Sequence, residues 1–156
     1  MNRYVQLCEA NAEAIRNLVG RKTECAKFAV RLVESLIEFG RLPYQNVRMF
    51  NLNQGFDPRR PCSASHAMML DDSGFWRAGL AVAPRHTPMS AATAARLQLW
   101  FKKERNFFAV RIQRREPEYH VQPKARAQMR HLCEAILEAV QEQRRAGHTQ
   151  ARAHAA

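Results

Sequence analysis

The sequence predicts an α+β fold: two N-terminal helices, a small antiparallel β-sheet of about four to five strands, and a C-terminal helix packed on it. Three observations carry this. Apolar residues recur at helical spacing over the first forty positions and again after Pro123. Between them the pattern changes to alternation. Glycine and proline punctuate that middle region at intervals suited to tight turns.

In the first segment Tyr4, Leu7, Cys8, Ile15, Leu18 and Val19 share one helical face. Gly20 is a plausible stop and Thr23 a plausible N-cap for a second helix over 24–39, although a lone glycine also permits one bent helix. The second stripe holds Cys25, Phe28, Ala29, Leu32, Val33, Leu36 and Ile37, and Gly40 ends it. A short strand is expected at 47–53. The glycine- and proline-containing run 54–62 reads as a loop.

Residues 66–83 read as a hairpin. If Asp72-Ser73-Gly74 is a three-residue turn with Gly74 at positive φ, Asp71 faces Phe75 and Leu70 faces Trp76. The same register carries Met68 to Ala78 and His66 to Leu80, which puts His66 on the apolar face. Residues 90–103 fit two patterns. Strong helix formers and Ser90 as N-cap favour a helix. A strand would instead send Leu97, Leu99 and Phe101 inward, Trp100 outward, and pair Phe101 with Phe108. Helix propensity tips the balance to helix. Residues 107–113 form the clearest strand, with Phe108, Val110 and Ile112 inward and Phe107, Arg111 and Gln113 outward. A turn at Pro117 leads to a short last strand. The final helix has Met129, Leu132, Cys133, Ile136, Leu137 and Val140 on its apolar face. The domain is expected over 1–146, with 147–156 as a flexible polar tail.

The chain has 156 residues and a net charge of +11 from 25 basic and 14 acidic residues. That length suits one domain with its own core. The charge favours a polyanion: nucleic acid, DNA or RNA, anionic lipid, or an acidic protein partner. Twenty of the bases are arginine, so codon composition is a competing source of the charge. Residues 96–115 hold seven bases against one acid, Glu104. No apolar run reaches the length of a membrane span, and the N-terminus lacks the apolar stretch of a secretion signal, so a cytoplasmic location is expected. Cys8, Cys25 and Cys133 lie in helical stripes, where burial as small hydrophobes is expected.

The candidate nucleic-acid-binding residues are Arg96, Lys102, Lys103, Arg105, Phe107, Arg111, Arg114 and Arg115, joined by Arg59 and Arg60 of the preceding loop. Guanidinium groups pair with phosphates and aromatic rings stack on bases, so a sheet face carrying both suits a single strand. The plain alternative is a solvated hairpin whose charges discourage edge pairing. Cys62 with His66 could form a nucleophile pair, and Asp57, Asp71 and Asp72 a carboxylate cluster, but neither spacing is diagnostic. No paired zinc-ligand spacing, phosphate loop or hydrolase motif occurs. No cofactor and no catalytic residue is assigned. The leading expectation is a small basic protein that binds nucleic acid, or acts within a nucleoprotein assembly, without catalysis. The alternative is a protein-interaction module, such as an adaptor, chaperone-like partner or inhibitor, able to form a homodimer. An enzyme using Cys/His or Asp residues ranks third.

Overall fold

The structure is a computed structural model that describes the backbone of residues 2–155 and the side chains of residues 2–147. The N-terminal region is one helix, α1 (Arg3–Gly40), and not two. Gly20 sits inside it with open space around its Cα, so nothing forces a break there. Thr23 does not cap a second helix. Its hydroxyl donates to the Val19 carbonyl one turn back (2.9 Å), the bond a mid-helix threonine makes. The Asn2 side chain accepts from Tyr4 N–H at the start. Gly40 is the last helical residue, and Arg41 at φ 50° closes the helix by donating to the carbonyls of Glu38 and Ile37.

Eight further elements precede the last helix: a 3-10 turn (Tyr44–Asn46), β1 (Val47–Phe50), α2 (Ala64–Ala67), β2 (Met69–Leu70), β3 (Trp76–Val82), β4 (Ala95–Lys103), β5 (Phe108–Ile112) and β6 (Tyr119–Val121). α3 (Arg126–Ala155) completes the fold, its helical backbone running on into the segment read as a polar tail. The sheet is antiparallel, in the order β1-β3-β4-β5-β6, with β2 paired to β3 beside β1.

The hairpin turn forms as its residues dictate. Gly74 has φ +85°, Asp71 N–H donates to Phe75 O (2.9 Å), and Leu70 pairs with Trp76. The Asp71 carboxylate accepts from the N–H groups of Ser73 and Phe75 and from the Ser73 hydroxyl. Burial acts against the charge, but those bonds hold the carboxyl below its usual range. The strand pairing stops two residues later. Ser63 caps the short helix α2 by accepting from His66 N–H (3.1 Å), so His66 lies exposed on a helix instead of facing Leu80. β1 takes the vacant edge of β3, with Met49 opposite Leu80 and Phe50 opposite Gly79.

Residues 95–103 are a strand, against the helical expectation. The capping signal is real but serves a single turn. Ser90 Oγ accepts from Thr93 N–H (3.1 Å), Ala94 N–H closes on Ser90 O, and the chain then extends. Two neighbours, β3 and β5, satisfy the backbone along β4, which overrides helix propensity. The β4–β5 register places Phe101 opposite Val110 and Lys103 opposite Phe108. That is two residues from the pairing read off the sequence, so the same side chains still point inward.

The core lies between one sheet face and the two long helices. Phe28 of α1 stacks on Phe108 (4.4 Å) and meets Phe101 edge-on (6.2 Å). Leu132 and Ile136 of α3 are also fully buried. Cys25 and Cys133 are buried in this layer, and desolvation pushes both thiols up to about 11. Cys8, expected to be buried, is exposed, because α1 leaves the body before reaching it. Among the described residues, no helix is long and apolar enough to cross a membrane.

Candidate nucleic-acid interface

Alternation along the strands decides which side chains reach solvent. Leu97, Leu99 and Phe101 of β4 point to the helices, so Arg96, Gln98, Trp100 and Lys102 point away. On β3 the outward residues are Arg77, Gly79 and Ala81, and on β5 they are Ala109 and Arg111. Both long helices pack on the inner face. Among the described residues, the outer face carries no helix.

Pairing aligns three of these residues in one row. Arg77 lies opposite Trp100, and Trp100 opposite Arg111. Trp100 is partly exposed at the centre of the row, with a cation on each side. The Arg111 guanidinium lies 4.0 Å from the Phe75 ring centroid, and its Nε is 3.5 Å from a Glu118 oxygen. Lys102 Nζ is 5.6 Å from the same ring and 3.6 Å from Glu104. Phe75 is thereby roofed by two cations and buried, so it fixes their positions without offering a stacking surface. Phe107 stacks on His120 (4.4 Å, 29°), which occupies one of its faces.

At the β1 end the outer face is closed. The Phe50 ring lies over Gly79, where an added Cβ would come within 2.5 Å of it. Phe56 leans on Phe50 (5.5 Å), and Arg96 sits over Phe56 (5.5 Å). The loop bearing Arg59 and Arg60 thus reaches the face near Arg96 through Phe56, while Arg59 itself lines a cavity with Val30, Val33 and Ile37 of α1. Both arginines are exposed, with Arg60 paired to Asp57 (3.6 Å).

The sequence-derived set therefore divides. Arg96, Lys102 and Arg111 share the open face. Arg105 lies exposed in the β4–β5 turn, and Arg114, at φ 60°, lies exposed just after β5. Lys103 turns to the helix side, 4.6 Å from the Phe108 ring. Arg115 joins the sheet to α3, through Glu138 (3.2 Å) and Glu142 (2.6 Å). Burial alone would lower its pKa; the two carboxylates raise it above the ordinary value. Trp100 and Arg77 were not among the residues singled out. The strand alternative for 90–103, which points Trp100 outward, is the signal that identifies it.

Cys62 and His66 line a cavity of about 310 Å³ with Arg48, Phe50, Phe56 and Arg60. Desolvation raises the Cys62 thiol, the opposite of what a nucleophile needs. Among the described residues no three His, Cys, Asp or Glu side chains converge to hold a metal ion. No protein-family profile matches the chain, and neither the curated proteins nor the solved structures contain a significant match to its sequence or fold.

Proposed function

We propose that the protein binds single-stranded nucleic acid on the open face of its sheet, without chemistry of its own. The observation that carries this is the cross-strand row Arg77–Trp100–Arg111 on a face no helix covers. A strand laid across it would stack a base on the Trp100 ring while the flanking guanidiniums meet phosphates. Arg96, Lys102 and Arg105 extend the cationic track along β4 and its turn. Glu118 and Glu104 hold Arg111 and Lys102 only through partly exposed pairs, which a phosphate can replace at small cost.

Titration of labelled single- and double-stranded oligonucleotides at several salt concentrations tests the reading. Combined alanine substitution of Arg96, Lys102 and Arg105 should flatten the slope of log K against log salt by about 2 units on single strands, for every sequence alike. Trp100→Ala should leave the slope alone and cost about 1–3 kcal/mol on single strands only. If the parent protein shows no binding at low salt, or all variants bind as the parent does, the face is a solvated surface. The alternative, a protein-interaction module, is supported by a different region, the N-terminal half of α1.

A further inference from the structure

Every residue from 2 to 21 is exposed, and the body begins at Lys22, whose Nζ lies 5.7 Å from the Trp76 ring. The free part of α1 is therefore about 28 Å long at 1.5 Å per residue. It is not a polar helix. Tyr4, Cys8, Asn11, Ile15 and Leu18 follow alternating steps of four and three, and the same steps lead on to Cys25, Ala29, Leu32 and Leu36. The second set is the core face. The first is the same face continued past the end of the sheet. Val5, Leu7 and Val19 widen the stripe.

Tyr4 and Leu7 are each 70% exposed, Val19 57% and Ile15 55%. With Val5 and Leu18 these residues present roughly 600 Å², at the upper limit of what a monomer leaves open. A helix of this length is only marginal in water unless its apolar face is covered.

We infer that a second copy of the chain covers it, by antiparallel pairing of the two free α1 segments. Two such stripes would bury roughly 1,200 Å², against the about 1,000 Å² a specific interface needs. The pairing is self-complementary, since one patch meets itself about a two-fold axis near the middle of the segment. The direction follows from the body. Sheet and core occupy the stripe side of α1 from Cys25 onward. In a parallel pair the partner's own continuing helix would run into that space. In an antiparallel pair the Tyr4 end of the partner meets the Ile15–Leu18 region and stops short of the body. The polar side of the segment mixes signs, with Glu9 and Glu13 against Arg3, Arg16 and Arg21. A helix that lies on a lipid surface is rich in lysine and arginine there, so a bilayer fits less well.

Sedimentation equilibrium of the full chain, with Ile15→Glu/Leu18→Glu as the comparison, tests the inference. The expected result is a dimer for the parent and a monomer for the variant, with unchanged circular dichroism from the sheet. A spin label at Tyr4→Cys, in a Cys8→Ser background, reports direction. Antiparallel pairing separates the two labels by on the order of 20 Å along the axis. Parallel pairing holds them about 10 Å apart. A monomer at every concentration, a dimer that the glutamates leave intact, or the short label distance overturns the proposal. So does a monomeric parent that co-sediments with phosphatidylserine vesicles while the glutamate variant does not.

Discussion

The two halves of α1 carry one stripe and meet two fates. Cys25 and Cys8 lie seventeen residues apart on that stripe; one is fully buried, the other exposed. Periodicity says that a helix has an apolar face. What covers the face is settled elsewhere, here by how far the sheet extends. The C-terminal half meets β4 and α3, and the N-terminal half overruns them.

The largest expected difference between the halves is chemical. Burial raises the Cys25 thiol from 9.0 to about 11. At neutral pH its thiolate fraction is then about a hundredfold below that of an ordinary thiol, and its side chain is shielded as well. Maleimide labelling at dilutions where the chain is monomeric should modify Cys8 promptly and Cys25 only on unfolding. Prompt labelling of Cys25 would show that the α1–sheet layer opens readily.

Packing comes next. Phe28 stacks on Phe108 and meets Phe101 edge-on, so Phe28→Ala should cost about 3–5 kcal/mol in urea unfolding. Ile15→Ala, on the uncovered half, should change the stability of the monomer by less than about 0.5 kcal/mol. If both cost the same, the free segment is packed on the body in solution and the comparison collapses.

The sheet offers its own pair of positions. Gly79→Ala places a Cβ against the Phe50 ring and should cost about 1–3 kcal/mol. Gly74→Ala has open space around it but retains φ +85°, and should cost about 1 kcal/mol through backbone strain alone. Thermal or urea midpoints rank the two. The reverse order would mean that the Phe50 ring swings aside freely.

What was legible in the sequence was what local chemistry determines. Asp71, Ser73 and Gly74 specify their turn within five residues, and Leu70 opposite Trp76 follows. Phe108, Val110 and Ile112 alternate cleanly, and they are inward. The helix stop at Gly40 is equally local. One failure is local: Gly20 and Thr23 signal a helix break, yet both fit inside the single helix α1. The others are non-local. Ser90 and the alanines after it carry a true helix signal, and one turn forms, but two flanking strands claim the chain from Ala95. His66 was placed on a strand because nothing in residues 64–68 says that β1 will take that edge of β3. At the candidate interface, the cations were legible as a cluster. Their sorting was not. Lys103 and Arg115 separate from Lys102 and Arg111 because of strand alternation and two carboxylates twenty-three and twenty-seven residues away on α3.

The sheet order also bears on how the chain reaches this state. β3, β4, β5 and β6 are sequence neighbours linked by twelve, four and six residues, each adding to the strand before it. Such hairpins close small loops, at little entropic cost. The contact between α1 and α3 joins the two ends of the chain. Closing that loop before the sheet exists would bury little and order much. The expected sequence is meander first and helices last, which puts the folding nucleus around the β3–β4–β5 turns. Core substitutions in the strands should then slow refolding, whereas Leu32→Ala and Ile136→Ala should mainly speed unfolding. The outer face, with Trp100 at its centre, would be assembled before the core beneath it is sealed.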